Sequence, residues 1–154
     1  MKKKTLILAT GNDILTDDGI ALRIADDLKI IFPDADIQTA CCGGLDILDF
    51  IRDYKKVIFI DSIKTSGGSP GDVYHFKPSD FRETTHLSNL HDVSFLTALE
   101  LAKSLDIELP EEMHVIAIEI IEDMEFSEEF TSLIKKNYAG IVTSVAEKVK
   151  MISG

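Results

Sequence analysis

Short apolar runs that alternate with amphipathic stretches constrain this chain more than any other feature. Thr5–Ala9 is a short apolar run, as a strand covered on both faces requires. Lys56-Val57-Ile58-Phe59-Ile60-Asp61 is β-branched and aromatic and closes on an acid. From Asp18 to Ile31, the positions of Ile20, Leu22, Ile24, Ala25, Leu28 and Ile31 are compatible with one helix, which Phe32-Pro33 ends. Ile37 to Cys41 reads as a second strand broken by Gly43-Gly44, and Leu45 to Ile51 as a short helix. Asp72 to Phe76 alternates like a strand at a sheet edge, with antiparallel pairing open to it, whereas Phe81 to Asn89 is polar and irregular. Asp92 to Leu105 is helical, His114 to Ile118 is another buried strand, and a closing helix runs from Ser127 to about Met151. Ser127 would cap that last helix, with Glu128 and Glu129 in its first turn. Such alternation predicts a three-layer α/β/α sandwich with a mainly parallel, mixed sheet of about five strands, in one domain spanning residues 1–154.

Charge and composition remove several classes of function. A formal net charge of −11 leaves nothing to offset phosphate repulsion, so no nucleic-acid partner is expected, and the acidity serves mainly solubility. Cys41 and Cys42 are adjacent and form no disulfide framework, which implies a reducing compartment. The apolar run after Met1-Lys2-Lys3-Lys4 ends at Ala9, too short for a secretory signal core, and no stretch approaches the ~20 apolar residues that span a bilayer. The expectation is a soluble, cytoplasmic protein with no membrane partner.

In a parallel α/β sheet, ligands bind beyond the C-terminal ends of the strands. Three sets of polar residues fall there. The turn after the first strand, Ala9-Thr10-Gly11-Asn12-Asp13-Ile14-Leu15-Thr16-Asp17-Asp18-Gly19, carries three carboxylates where a nucleotide-binding protein would cradle phosphate. Asp61 ends the third strand, and His86 and His91 precede the Asp92 helix. Two carboxylates and an imidazole from separate loops make an open O,O,N set suited to nickel, zinc or a similar ion. Each also has a plainer use: Asp17 and Asp18 favour a helix start, Asp61 can cap the next turn through Ser62, and His75 and His114 sit within strands as packing or edge residues. No His-Glu-x-x-His helix, phosphate loop or Cys-x-x-Cys is present.

The run Gly11-Asn12-x-x-Leu15-x-Asp17-Asp18-Gly19 after an apolar strand resembles the opening of the hydrogenase maturation proteases. The resemblance continues through Gly43-Gly44-Leu45-Asp46-Ile47-Leu48, Val57-Ile58-Phe59-Ile60-Asp61-Ser62, Ser69-Pro70-Gly71-Asp72-Val73 and His91-Asp92-Val93-Ser94-Phe95-Leu96. It implies a phosphorylase/hydrolase-like α/β/α fold. It also implies an endopeptidase that trims the C-terminal extension of the [NiFe] hydrogenase large-subunit precursor. The implied metal and catalytic residues are Asp18, Asp61 and His91. The metal implied is nickel carried by the substrate, for which zinc or cadmium would substitute in vitro. Asp17 is then left to cap the helix.

This chain has Ala9 and Ala21 where the family often has glycine, and Ala117-Ile118-Glu119-Ile120 where a Gly-Ile-x-Pro pattern is expected. A non-catalytic metal-binding accessory protein and a different small hydrolase on the same sandwich are the competing readings.

Overall fold

The computed structural model describes residues 3–41, 45–83 and 94–153. Five strands are β1 (Lys3–Thr10), β2 (Asp36–Ala40), β3 (Tyr54–Ile63), β4 (Val73–Phe76) and β5 (Glu112–Glu119). Four helices are α1 (Ile20–Ile31), α2 (Asp46–Ile51), α3 (Ser94–Ser104) and α4 (Ser132–Ser153). The sheet order is β2-β1-β3-β5-β4, parallel except for β4, which runs antiparallel to β5 at the edge. The mixed α/β sandwich inferred from the alternation is therefore the fold observed.

Alternation along each strand divides the core into two layers. Ile7 and Ala9 of β1, Ile58 and Ile60 of β3, and Ile116 and Ile118 of β5 pack against α1 and α4. Leu6, Leu8, Val57, Phe59, Val115 and Ala117 face the other way, toward Ile47 and Ile51 of α2 and Leu99 of α3. Phe59 and its neighbours Ile58 and Ile60 are fully buried, and the central strands β1, β3 and β5 read as continuous apolar runs. Asp61 lies between Phe59 and Ile63, so its position in the alternation places it on the α2/α3 face.

Three boundaries depart from the sequence reading. The helix expected from Asp18 begins as a 3-10 turn at Thr16–Gly19 and becomes α-helical only at Ile20; its last residue, Ile31, is exposed rather than buried. The closing helix starts at Ser132, not at Ser127. Ser127 instead forms a parallel bridge with Leu15, and its hydroxyl accepts the Glu129 N–H within a local turn. The polar stretch expected to be irregular from Phe81 includes the end of a 3-10 turn at Pro78–Glu83, and its residues 84–89 lie outside those described.

The two strand histidines meet across β4 and β5. His75 Nε2 lies 2.9 Å from His114 Nδ1, and His114 Nε2 lies 2.5 Å from the Glu112 carboxylate. Burial, then the nearby His114, Lys148 and Lys77, hold the His75 imidazole below its ordinary value of 6.5. The unfolded chain then takes up a proton just below that value where the native protein does not. Stability from this group is complete above 6.5 and is lost as pH falls toward the native value. Glu112 is held below its ordinary 4.5, chiefly by its hydrogen bond to His114, so its contribution is lost only at still lower pH. Thermal melts should show stability declining as pH falls below 6.5, and His75→Gln should flatten that decline. An identical slope in the variant would show that other groups carry it.

Candidate active site

The turn from β1 into α1 folds back so closely that two positions have no room for a side chain. A Cβ on Gly11 would lie 2.3 Å from the Asp18 carbonyl oxygen, and one on Gly19 would lie 2.6 Å from Asp13 Cα. Both contacts are with backbone, so neither can be relieved by a rotamer change. With the turn closed, the Asn12 N–H donates to Asp18 Oδ2 at 3.1 Å.

Ser62 then joins the two expected acids. Its hydroxyl donates to Asp18 Oδ1 at 2.7 Å, and its N–H donates to Asp61 Oδ1 at 2.8 Å. The location follows from the sheet. β1 pairs with β3 only as far as Ala9 opposite Ile60, while β3 continues beside β5 to Ile63. Asp61 is thus the first β3 residue beyond that ladder, at the switch point between strands whose connections diverge. Asp61 is buried and Asp18 half-buried. Sequence reasoning had Ser62 as a cap partner for Asp61; its bond to Asp18, 44 residues away, had no local signal.

His91, and His86 with it, lie outside the described residues, as do Cys42, Gly43 and Gly44. Among the described residues no group of three His, Cys, Asp or Glu side chains is disposed to hold an ion. Cys41 is an exposed free thiol.

Asp17 does not cap its helix, for neither the 3-10 turn nor α1 has a side-chain cap. Its carboxylate is fully buried and reaches the segment between β5 and α4 instead. Asp17 Oδ2 accepts the Ile121 N–H at 3.2 Å, the Glu122 N–H at 3.0 Å and the Thr131 hydroxyl at 2.9 Å, while Oδ1 accepts the Thr131 N–H at 2.8 Å. A charged acceptor that gathers several neutral donors is a strong buried anchor. The acceptor atoms of Asp17 are taken up by these donors, more than 100 residues away, rather than by the start of its own helix.

Two more buried acids order the same end of the sheet. Glu119 accepts the Thr65 N–H at 2.8 Å, the Tyr74 hydroxyl at 3.1 Å and the Thr65 hydroxyl. Burial, with the Glu119 carboxylate adding to it, raises the Tyr74 phenol above its ordinary value. Asp123 pairs with Lys64 at 3.2 Å, tying the exit of β3 to the exit of β5. By contrast the Thr10 hydroxyl, on the β1 residue that follows Ala9, is buried and has no hydrogen-bond partner among the described residues.

These two positions should respond oppositely. Asp17→Ala strands three backbone N–H groups and a hydroxyl, and urea unfolding should show a loss on the order of 3 kcal/mol. Thr10→Val removes a buried hydroxyl that has no partner among the described residues, and should leave stability unchanged or raise it by about 1 kcal/mol. A destabilised Thr10→Val would mean that the hydroxyl is satisfied in solution.

The family model described as hydrogenase maturation protease matches residues 23–148, which include Asp61 and His91 and begin just after Asp18. Among solved structures, the hydrogenase maturating endopeptidase HybD from E. coli superposes with a TM-score of 0.73 at 21% identity, covering 97% of this chain and 93% of that one. The [NiFe] hydrogenase maturation protease HybD from Thermococcus kodakarensis gives 0.70 at 24%, covering 96% and 99%. The hydrogenase 2 maturation peptidase from a Thaumarchaeota archaeon gives 0.62 at 27%, covering 96% and 98%. No curated protein sequence matches the chain. No described helix is long and apolar enough to cross a membrane. With the family model matched over well more than half its length, the chain belongs to the hydrogenase maturation protease family and is an endopeptidase.

Proposed function

We propose that this protein removes the C-terminal extension of a nickel-loaded [NiFe] hydrogenase large-subunit precursor, and that Asp18, Asp61 and His91 meet the nickel which the substrate carries. The observation that supports this reading most is the Ser62 bridge, which brings the Asp18 and Asp61 carboxylates to one residue at the switch point of the sheet. Helix α3 lies on the Asp61 face and begins at Ser94, three positions after His91. Two carboxylates and an imidazole are suitable donors for nickel or zinc. A cation shared between two carboxylates gathered on one residue would offset their like charge.

In this reading Asn12 and Ser62 fix the carboxylates, and the precursor brings its metal to them. A cation held there would polarise the scissile carbonyl or acidify an attacking water. Cleavage is thereby conditional on nickel having been loaded. The reaction is assigned to the cytoplasm, where an exposed thiol such as Cys41 stays reduced.

Incubated with nickel-loaded precursor, the protein should reduce the precursor's mass by its C-terminal extension, while nickel-free precursor should remain intact. Asp18→Asn, Asp61→Asn and His91→Ala should each slow trimming by about 100-fold or more, a loss of roughly 3 kcal/mol in transition-state stabilisation. His86→Ala should retain activity; if it abolishes trimming and His91→Ala does not, the imidazole is assigned to the wrong residue. Zinc or cadmium titrated into the protein alone should bind through the same three side chains, with binding lost on their combined substitution. Intact precursor after incubation with the folded wild-type protein would overturn the reading.

A further inference from the structure

The segment that Asp17 anchors has surface features which the cleavage reading leaves unused. Between β5 and α4, Phe126 is 82% exposed and Met124 69% exposed, with Ile121 exposed beside them in the chain. Ile14, in the turn that carries Asp18, is exposed as well. Backbone bonds place these residues on one rim of the sheet: Ser127 N–H donates to the Ile14 carbonyl at 2.9 Å, and Asp17 N–H donates to the Glu122 carbonyl at 2.9 Å. The segment has a defined conformation. Glu122 Oε2 accepts the Met124 and Glu125 N–H groups at 2.7 and 3.0 Å. Thr16, held at a φ of 50° that β-branched residues seldom adopt, donates its hydroxyl to the Glu125 carbonyl at 2.6 Å and its N–H to the Ser127 carbonyl at 2.9 Å.

Large apolar side chains are rarely presented to water in a run unless a partner covers them. Here they are interleaved with Glu122, Glu125, Glu128 and Glu129, and no Lys or Arg occurs in the sequence between Ile121 and Glu129, while Asp123 is buried and paired with Lys64. We infer that Ile14, Ile121, Met124 and Phe126 form the docking surface for the large-subunit precursor, which presents to it an apolar segment flanked by Lys or Arg. The inference rests on the proposed substrate. Its occupant follows from charge complementarity and from continuity with the site, because Asp17 anchors the surface and is covalently next to Asp18. Asp17 is a positioning residue: it sets where the docked precursor lies relative to Asp18.

The test uses nickel-loaded precursor and steady-state trimming. Met124→Ser with Phe126→Ser, both at exposed positions, should raise KM about tenfold and leave kcat within about twofold. Raising the salt should raise KM for the wild type, since the acidic rim is screened. Asp17→Asn should lower kcat and raise KM together. If its melt shows that it does not fold, the double variant alone decides. An unchanged KM in the double variant, or a fall in kcat without a change in KM, overturns the docking surface. Absence of trimming by the wild type would instead be a failure of the substrate reading itself.

Discussion

β1 leaves the central ladder at Ala9 while β3 runs on to Ile63, so the two middle strands of the sheet end unevenly. That mismatch leaves room above β1 for the acidic turn to fold back and meet β3 at Ser62. The two-sided core holds the ends in place: Ile58 and Ile60 are packed by α1 and α4, Phe59 and Ile63 by the opposite layer. A sheet buried on both faces cannot slip its register without turning apolar side chains to the wrong layer. The positions of Asp18 and Asp61 therefore depend on side chains far from either carboxylate.

Asp17 and Asp18 are consecutive, alike in chemistry, and divided in task by the direction each faces. Asp17 is wholly buried and collects donors from a distant segment, which makes it part of the framework. Asp18 is half-buried and is held by Asn12 and Ser62 at the edge of the site. One anchors and the other is presented. In the 3-10 turn at Thr16–Gly19 adjacent side chains point about 120° apart, so two consecutive acids face different surroundings.

Most of the architecture was legible because buried parallel strands require uninterrupted apolar runs, and Leu6–Ala9, Val57–Ile60 and Val115–Ile118 supply them. The edge strand Val73–Phe76 was legible from its weaker alternation. The start of α4 was not. Ser127 followed by two glutamates matches a helix cap, but the same residues also make a serine turn, and only the bridge from Ser127 to Leu15 decides between them. The partner of Asp17 was equally hidden, since no local pattern marks a carboxylate that binds backbone more than a hundred residues away. Residue types showed that carboxylates gather at this end of the sheet, but not which of them would be anchored and which presented.

The anchor that Asp17 provides reads almost nothing but main chain. Its donors among the described residues are the N–H groups of Ile121, Glu122 and Thr131, with the Thr131 hydroxyl as the one side chain involved. Every non-proline residue offers such an N–H, whatever its side chain. The outward side chains at positions 121, 124 and 126 are therefore free to change in size, charge or polarity while the loop keeps its course. If the precursor docks on that rim as proposed, substitutions there change which client is accepted while the course of the loop, and with it the hold on Asp17, stays the same.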